Sequence, residues 1–299
     1  MSYATFYGGT GAEYARGIAV DSCGSIYITG VTGSTDLTVT SGAVQSTPPG
    51  KSGQYNTFVA KFLQPFFTPA GVTNAASYAA GKVAPGEIVS IFGCNIGPET
   101  PAPYHLTNNQ FDNSVNQTRV LFDGVPAPII FAWTNQTSVV VPYAVAGKQT
   151  TQVVAEYCGI KGPAVSLPVA NVIPGIFTLN TTGQGPAAVL NSDYTTNRAG
   201  NAATRGDYVM VFATIGGDNG QDGVIAGNAL AHPLSNSVSV TVGGVNAQVL
   251  YVGNAPGLIW GMAQLNLVIP ASVAPGNDVP LVINIGGTTS QTNATIAVK

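Results

Sequence analysis

Apolar and polar residues alternate over many short stretches of the chain, each bounded by Gly, Pro or Asn. Clear examples are residues 88–92, 138–141, 238–242 and 281–285. Alternation with a period of two is typical of β-strands, whereas an amphipathic helix has a period of about 3.6 residues. No long stretch has a convincing helical period. The pattern therefore predicts an all-β protein.

The chain also contains an internal repeat. Three segments return in the same order further along, namely 85–92 as 205–212, 120–127 as 240–247 and 136–142 as 264–270. Each copy has short predicted strands separated by turn residues over roughly 100 positions, which is typical of an immunoglobulin-like β-sandwich. We therefore predict two sandwiches in tandem, sandwich 1 at 70–176 and sandwich 2 at 177–299.

The two copies differ at one connection. Residues 97–117, insertion loop 1, form a long polar insertion in the first copy, and residues 216–236, insertion loop 2, take the matching place in the second. Because surface loops tolerate insertions at little cost, the simpler interpretation is a tolerated surface loop. The alternative is a place for binding specificity, since binding residues are concentrated in loops on rigid scaffolds.

Residues 1–64, the N-terminal module, do not fit this repeat. Strands are predicted near 4–7, 15–20, 26–31 and 57–62, with a Gly- and Pro-rich loop at 42–53. The module is thus expected to hold four strands. The sequence Pro-Phe-Phe-Thr-Pro at 65–69 then predicts a stiff linker into sandwich 1.

Three segments of the N-terminal module form a recognisable pattern: YGGTGAEYARGIAVD at 7–21, GSIYITGVTGSTD at 24–36 and FVAKF at 58–62. In order and spacing they resemble the bacterial β-propeller repeat that occurs in tandem in secreted proteins. The resemblance covers one unit. It departs from the pattern at 37–38, where Leu-Thr stands in place of Phe-Pro, and at Asn56, which stands in place of Asp.

The rest of the chain has its own resemblance, carried by NAASYAAGKVAPGEIVSIFG at 74–93, PGIF at 174–177 and the second copy of the repeat. These segments resemble a C-terminal region common in secreted proteins of Acidobacteria, whose copies are similar to immunoglobulin-like modules of the TIG type. The resemblance implies an immunoglobulin-like fold and an extracellular setting. It implies no catalytic residues, because that family is uncharacterised.

A single blade needs a partner. Propellers typically close with four or more blades, and an isolated blade exposes two edges and both faces. It must pack on the sandwiches, on blades lost by truncation, or on another copy of the chain. We favour self-association by strand pairing, which gives a filament when the contact does not close. The candidate assembly strand consists of Ser2, Tyr3, Ala4, Thr5, Phe6 and Tyr7.

Composition narrows the partners and the location. Only 8% of the 299 residues are charged, with a formal net charge of −3, so nucleic acid is excluded as a partner. No apolar run is long enough for a membrane-spanning helix, and no membrane insertion is expected. The start of the chain has no visible secretion signal. A weakly charged surface is unusual in the cytosol, so we expect a mature or trimmed chain outside the cell or at its surface.

The cysteines are Cys23, Cys94 and Cys158, and no pair has the C-x-x-C spacing of a metal or redox motif. Cys94 follows the first predicted strand of sandwich 1, and Cys158 lies in its last hairpin. Such elements can lie side by side in a sandwich. We therefore predict a Cys94–Cys158 disulfide, with two buried thiols as the alternative and Cys23 free or intermolecular.

The chain offers little chemistry for catalysis or metal binding. Segment 218–223 lacks ligands that a calcium loop requires, and His105 and His232 have no metal-ligand spacing. There is no G-x-S-x-G motif. The acids Glu87 and Asp207 occupy equivalent positions in the two copies, so they do not form a glycosidase pair. We predict no cofactor, no metal and no enzymatic activity.

Two tryptophans occupy matching places. Trp133 and Trp260 each precede the equivalent strand of their copy. Buried, they would fill the end of each sandwich or the interface between them, which is the favoured interpretation. Exposed, they would stack on sugar rings.

The sequence as a whole predicts a non-enzymatic, extracellular structural protein. Its main partner would be itself, in a filament or surface layer joined through the N-terminal module. The alternative is an adhesive or carbohydrate-binding module of a larger secreted protein. In that case the partner would be a surface polysaccharide, and the tryptophans would serve its binding.

Overall fold

The computed structural model describes residues 6–21, 25–40, 43, 45, 54–217, 220–230 and 237–299. They form an all-β protein, which confirms the predicted fold class. In chain order the strands are β1 (Glu13–Val20), β2 (Ile26–Thr32), β3 (Asn56–Phe62), β4 (Phe66–Asn74), β5 (Ile88–Cys94), β6 (Ala102–Pro103), β7 (Leu106–Thr107), β8 (Gln110–Phe111), β9 (Thr118–Phe122), β10 (Val125–Pro126), β11 (Ile129–Ala132), β12 (Gln136–Val140), β13 (Thr150–Tyr157), β14 (Ile160–Lys161), β15 (Val165–Pro168), β16 (Gly175–Ile176), β17 (Gly185–Pro186), β18 (Val189–Asn191), β19 (Tyr208–Thr214), β20 (Val238–Val242), β21 (Val245–Asn254), β22 (Met262–Val268), β23 (Gly276–Ile285), β24 (Thr288–Thr289) and β25 (Ala294–Val298). A 3-10 turn covers Tyr143–Val145. Among the described residues, no helix has the length and apolar character needed to cross a membrane.

The N-terminal module is an antiparallel sheet of β1, β2 and β3. These strands confirm three of the four that the sequence predicts. Of the candidate assembly strand, residues 2–5 lie outside the described residues, and Phe6 and Tyr7 are not in a strand. The Tyr7 ring packs on Phe58 and Phe62, with ring centroids 5.8 and 5.5 Å apart. Phe6 and Tyr7 therefore form no strand within this chain, and the pairing of residues 2–7 with a neighbouring copy stays a prediction.

Sandwich 1 has two sheets that enclose an apolar core. One sheet has the order β4-β5-β12-β11-β6, and the other has the order β10-β9-β13-β14, with β15 also paired to β13. Alternate residues of each strand point inward. Val89 and Ile91 of the first sheet and Val120, Phe122 and Val153 of the second are fully buried.

Sandwich 2 is built from one continuous sheet with the path β16-β19-β22-β21-β20-β23-β25-β17, joined by β18 and β24 at the side. The long strand β21 pairs with β20 in its first part and with β22 in its second. A bulge between Val249 and Tyr251 bends it. This strand therefore carries the sheet around the core of sandwich 2.

Two prolines divide the matching stretch of sandwich 1. Pro126 and Pro128 occupy the repeat positions of Asn246 and Gln248 in β21. Because proline has no backbone N–H, it interrupts the hydrogen bonding of a strand. The stretch is split into β10 and β11, which pair with different sheets. The same repeat thus gives two separate sheets in one copy and a continuous sheet in the other.

Strand pairing confirms the repeat itself. β5 pairs with β12 and β9 with β13 in sandwich 1, as β19 pairs with β22 and β20 with β23 in sandwich 2. Two boundaries differ from the prediction. Most of the predicted linker at 65–69 belongs to β4, an edge strand that tolerates Pro69 beside a bulge. β16, which ends at Ile176, already pairs with β19 of sandwich 2.

The two insertion loops meet between the sandwiches. The Phe111 N–H of insertion loop 1 donates to the Gly223 carbonyl of insertion loop 2 at 2.8 Å. The Gln110 side chain donates to the Asp222 carbonyl, also at 2.8 Å. We call this contact the clasp. Where they are described, the two insertion loops therefore contact each other, and both interpretations of the insertions, a tolerated surface loop or a place for binding specificity, stay predictions.

Candidate functional site

The two tryptophans lie in different surroundings. Trp260 is only 7% exposed, and its backbone N–H donates to the Val224 carbonyl of insertion loop 2 at 2.9 Å. The sugar-stacking interpretation is wrong for this residue, because its ring is covered by protein. Trp133 is half-buried, and its indole N–H donates to the Glu99 carbonyl at 2.9 Å. For Trp133, sugar stacking stays a prediction.

The outer face of sandwich 1 is apolar along β5. Ile88, Ser90 and Phe92 alternate with the core residues Val89 and Ile91. Because alternate residues of a strand share a face, the first three point away from the core of sandwich 1. The end of this outer face that holds Ile88 lies toward sandwich 2.

Sandwich 2 covers only part of that face. Ile88 packs in one cluster with Ile259 of sandwich 2. In the next row, the hydroxyls of Ser90 and Ser138 are hydrogen-bonded to each other at 2.9 Å and are buried. The cover ends at Phe92, which is 37% exposed.

An aromatic surface lies where the cover ends. Tyr78 stacks on Phe92, with ring centroids 6.3 Å apart and an angle of 29° between the planes. Gln136 is the cross-strand partner of Phe92. Phe66, 38% exposed, lies on the same face of the neighbouring edge strand. We call Phe66, Tyr78, Phe92 and Gln136 the aromatic face.

Tyr78 is held in place from both sandwiches. Its φ is 59°, a left-handed conformation that few residues other than glycine adopt. Its phenol O–H donates to the Thr181 carbonyl of sandwich 2 at 2.8 Å. The turn before it is closed by Asn74 Oδ1, which accepts the N–H groups of Ala76 and Ser77 at 2.9 Å each. The ring is therefore fixed before any ligand arrives, which lowers the entropy cost of binding.

The aromatic face suits an uncharged ligand. None of its four side chains carries a charge at neutral pH, and aromatic rings offer large apolar surfaces to stack on. Within the described part of the chain, the Gln136 amide has no hydrogen-bond partner. Its donor and acceptor are thus available to hydroxyl groups of a ligand. A few polar groups beside an apolar surface are what orients a ligand in a binding site.

The sequence alone does not predict the aromatic face. The alternation along 88–92 does indicate part of it, since it places Phe92 on the same face of the strand as Ile88 and Ser90. Nothing in the sequence indicated that Tyr78, which follows β4, would stack on a residue of β5. That contact depends on the turn after β4 and on the position of sandwich 2.

The two repeat-related acids lie in different environments. Glu87 is completely buried beside the connection to sandwich 2, whereas Asp207 is exposed. Burial raises the pKa of Glu87 to about 8, although N–H groups of Ala84 and Asn74 donate to its carboxyl oxygens and Lys82 lies near. An unhydrated carboxyl without access to solvent cannot act on a bound substrate. Glu87 lies instead beside the hydrogen bonds that connect sandwich 1 to sandwich 2.

The predicted disulfide is wrong in its pairing. Cys94 is disulfide-bonded, but Cys158 is an exposed free thiol. Cys94 ends β5 in one sheet of sandwich 1, whereas Cys158 lies in the turn between β13 and β14 of the other sheet. The two cysteines therefore belong to different layers. Cys23 lies outside the described residues.

No group of three or more metal-ligating side chains occurs within the ranges that the structure describes. Asp218 of the calcium-like segment and His232 lie outside those ranges. Asp222 is described, and its carboxylate accepts the Tyr143 N–H at 3.0 Å. This acid is thus engaged in joining insertion loop 2 to sandwich 1.

No family model and no curated protein sequence matches the chain. The resemblances to the propeller repeat and to the Acidobacteria region therefore stay predictions. Among solved structures, the chain is similar to SGBP-B of the Bacteroides ovatus mixed-linkage glucan utilization locus, in complex with a mixed-linkage heptasaccharide. The identity is 12%, the TM-score 0.32, and the match covers 93% of this chain and 53% of that one. The chain thus spans about half the length of that protein.

A second similar structure is Down Syndrome Cell Adhesion Molecule isoform 1.30.30, N-terminal eight Ig domains. The identity is 10%, the TM-score 0.22, and the match covers 96% of this chain and 37% of that one. Both TM-scores are too low for either likeness to bear on function.

Proposed function

We propose that this chain is a non-enzymatic binding module of an extracellular or cell-surface protein, and that the aromatic face holds a neutral polysaccharide. The observation that carries the proposal is the stacked pair Tyr78 and Phe92. Both rings remain more than a third exposed although Tyr78 is fixed by both sandwiches. Exposed apolar surface rimmed by polar groups is typical of an interaction site. Gln136 supplies the polar group beside it.

Replacing Tyr78 and Phe92 together with alanine should weaken polysaccharide binding. A stacked aromatic contact contributes about 0.5–1.5 kcal/mol, so losing two rings should lower the affinity roughly 5- to 150-fold. Affinity electrophoresis in gels that contain neutral β-glucan, xylan or mannan measures this as a loss of retardation. The same gels with an anionic polysaccharide test the preference for an uncharged ligand.

The matched control is Tyr194→Ala. Tyr194 is 71% exposed and lies on sandwich 2. This variant should be retarded as strongly as the wild type. The proposal is wrong if the wild type is retarded by none of the neutral polysaccharides, or if the double variant keeps the wild-type retardation.

The N-terminal module supports a second candidate function, self-association. Ile18 and Val20 of β1 are 71% and 63% exposed. They pair with Ile28 and Ile26 of β2, so these four residues form one apolar face. Within the described residues β1 pairs with β2 alone, which leaves its other edge open. An apolar face beside an open edge favours contact with another copy of the module.

Replacing Ile18 and Val20 together with lysine should abolish that association, because two charges per copy would have to be buried. Analytical ultracentrifugation of the wild type should show species larger than the monomer that grow with concentration. The double variant should stay monomeric. Val59→Lys is the control, since Val59 is 74% exposed on the opposite face. A wild type that remains monomeric at high concentration rules out this function.

A further inference from the structure

A buried carboxyl group lies where the two sandwiches join. Glu87 is 0% exposed. Its Oε1 accepts the Asn74 side-chain amide, and its Oε2 accepts the Ala84 N–H, both at 2.8 Å. A charged carboxylate in such a place is costly unless it is fully compensated.

Hydrogen bonds around this group connect the sandwiches. The Asn74 amide also donates to the Ile173 carbonyl at 3.2 Å, in the connection to sandwich 2. The residue after Glu87, Ile88, donates its N–H to the Thr214 hydroxyl of sandwich 2 at 2.8 Å. The Gly217 N–H of insertion loop 2 donates to the carbonyl of Pro85 at 2.8 Å. Movement of the Glu87 segment would therefore break contacts between the sandwiches.

Few charges oppose or support ionisation of this group. Lys82, on the segment before β5, is the cation that acts on Glu87. From β4, Glu87 is faced by the uncharged Asn74, whose amide also donates to the Ile173 carbonyl in the connection to sandwich 2. The Tyr143 phenol lies against Gly86, and Asp222 lies behind Tyr143. Burial raises the pKa of Tyr143 to about 12, so this phenol stays neutral.

The second copy of the repeat lacks this arrangement. Asp207 occupies the position equivalent to Glu87 but is exposed. The copies share an acid at the start of this strand, yet only the acid of sandwich 1 is buried. Position in the tandem, rather than the repeat itself, gives Glu87 its environment.

We propose that Glu87 is a protonation-controlled lock between the sandwiches: the neutral carboxyl group keeps the junction closed, and loss of its proton loosens it. The junction would then stay closed in acidic surroundings and open more often as the pH rises toward 8. The proton is released to solvent when the junction opens. It returns when the junction closes.

The sign follows from proton linkage. The pKa of Glu87 is about 8 in the closed protein and near 4.5 when the group is hydrated. Between these values the closed form keeps a proton that the open form loses. The equilibrium constant for opening should therefore rise about tenfold for each unit of pH in that window. Below pH 4.5 and above pH 8 this dependence should vanish.

Hydrogen exchange of the junction amides tests the proposal. The N–H groups of Ile88 and Gly217 both donate across the junction. Their exchange rates, divided by the intrinsic rates at each pH, give the opening constant. In the wild type we expect it to rise roughly 100-fold between pH 5.5 and 7.5. Glu87→Gln, which cannot ionise, should show no rise, and the matched variant Asp207→Asn should behave as the wild type.

A flat profile in the wild type, or an equal rise in Glu87→Gln, overturns the proposal. In Glu87→Gln, the amide NH2 of the new glutamine would face one of the two N–H groups that the carboxyl oxygens now accept. A second measurement, on the wild type, covers the case in which this variant does not fold. Infrared spectroscopy of the folded wild type at pH 7 should show the carbonyl band of a protonated carboxyl group. If that band is absent, the lock does not exist in the proposed form.

Discussion

Replacing Asn74 with alanine should lower the free energy of unfolding by about 3–5 kcal/mol. This buried side chain makes four hydrogen bonds, two to N–H groups of its own turn and two that reach Glu87 and the Ile173 carbonyl. Alanine would leave the buried Glu87 with one donor fewer. The packing leaves no room for rearrangement, since a Cβ on Gly175 would overlap the Asn74 Oδ1 atom.

Urea denaturation followed by circular dichroism measures this loss. Asn284→Ala is the matched control, because Asn284 accepts a single hydrogen bond in the turn before β24 and should cost about 1 kcal/mol or less. Asn74→Asp separates shape from hydrogen bonding. It keeps the size and the acceptor of the turn but replaces the donor to the Ile173 carbonyl with an oxygen, so it should still be destabilising. An Asn74→Ala loss no larger than that of the control would contradict the role assigned to Asn74.

Replacing Phe122 with alanine should also lower the free energy of unfolding by about 3–5 kcal/mol. The ring is 0% exposed in the core of sandwich 1, and its removal leaves a cavity among close-packed side chains. Ile160, 36% exposed at the tip of the hairpin on the same sheet, is the control. Ile160→Ala should change stability by roughly 0.5 kcal/mol or less.

The same variant tests whether the sandwiches unfold together. Trp133 reports on sandwich 1 and Trp260 on sandwich 2, and each can be followed alone in a background that lacks the other. Because the clasp and the Glu87 segment join the sandwiches, Phe122→Ala should shift both fluorescence transitions to the same lower urea concentration. If only the Trp133 transition shifts, the junction does not couple the sandwiches.

Much of the fold could be predicted from the sequence, because its signals are local. Alternation with a period of two placed β1, β2 and β3 within a few residues of their observed bounds. The repeat predicted which strands correspond in the two sandwiches, and the pairing agrees. The linker at 65–69 was misjudged because prolines usually mark a break, whereas an edge strand tolerates them.

The candidate site could not be predicted, because its parts come together only in space. Tyr78 and Phe92 belong to different segments, and the Tyr78 hydroxyl is held by Thr181 from the other sandwich. The tryptophans were the more visible aromatic signal in the sequence. One of them, Trp260, proved to be only 7% exposed. Whether an aromatic ring can bind a ligand thus depends on whether protein covers it, and the composition does not show that.

The sequence by itself determined the all-β class, the tandem repeat and the low charge of the surface, since these follow from residue type and spacing. The tertiary structure decided which residues at equivalent repeat positions are buried and which are exposed. Glu87 and Asp207 share a repeat position, yet one is enclosed at the junction and the other faces water. The physical reason is that burial depends on which neighbour packs against a residue. Only the assembled pair of sandwiches sets that neighbour.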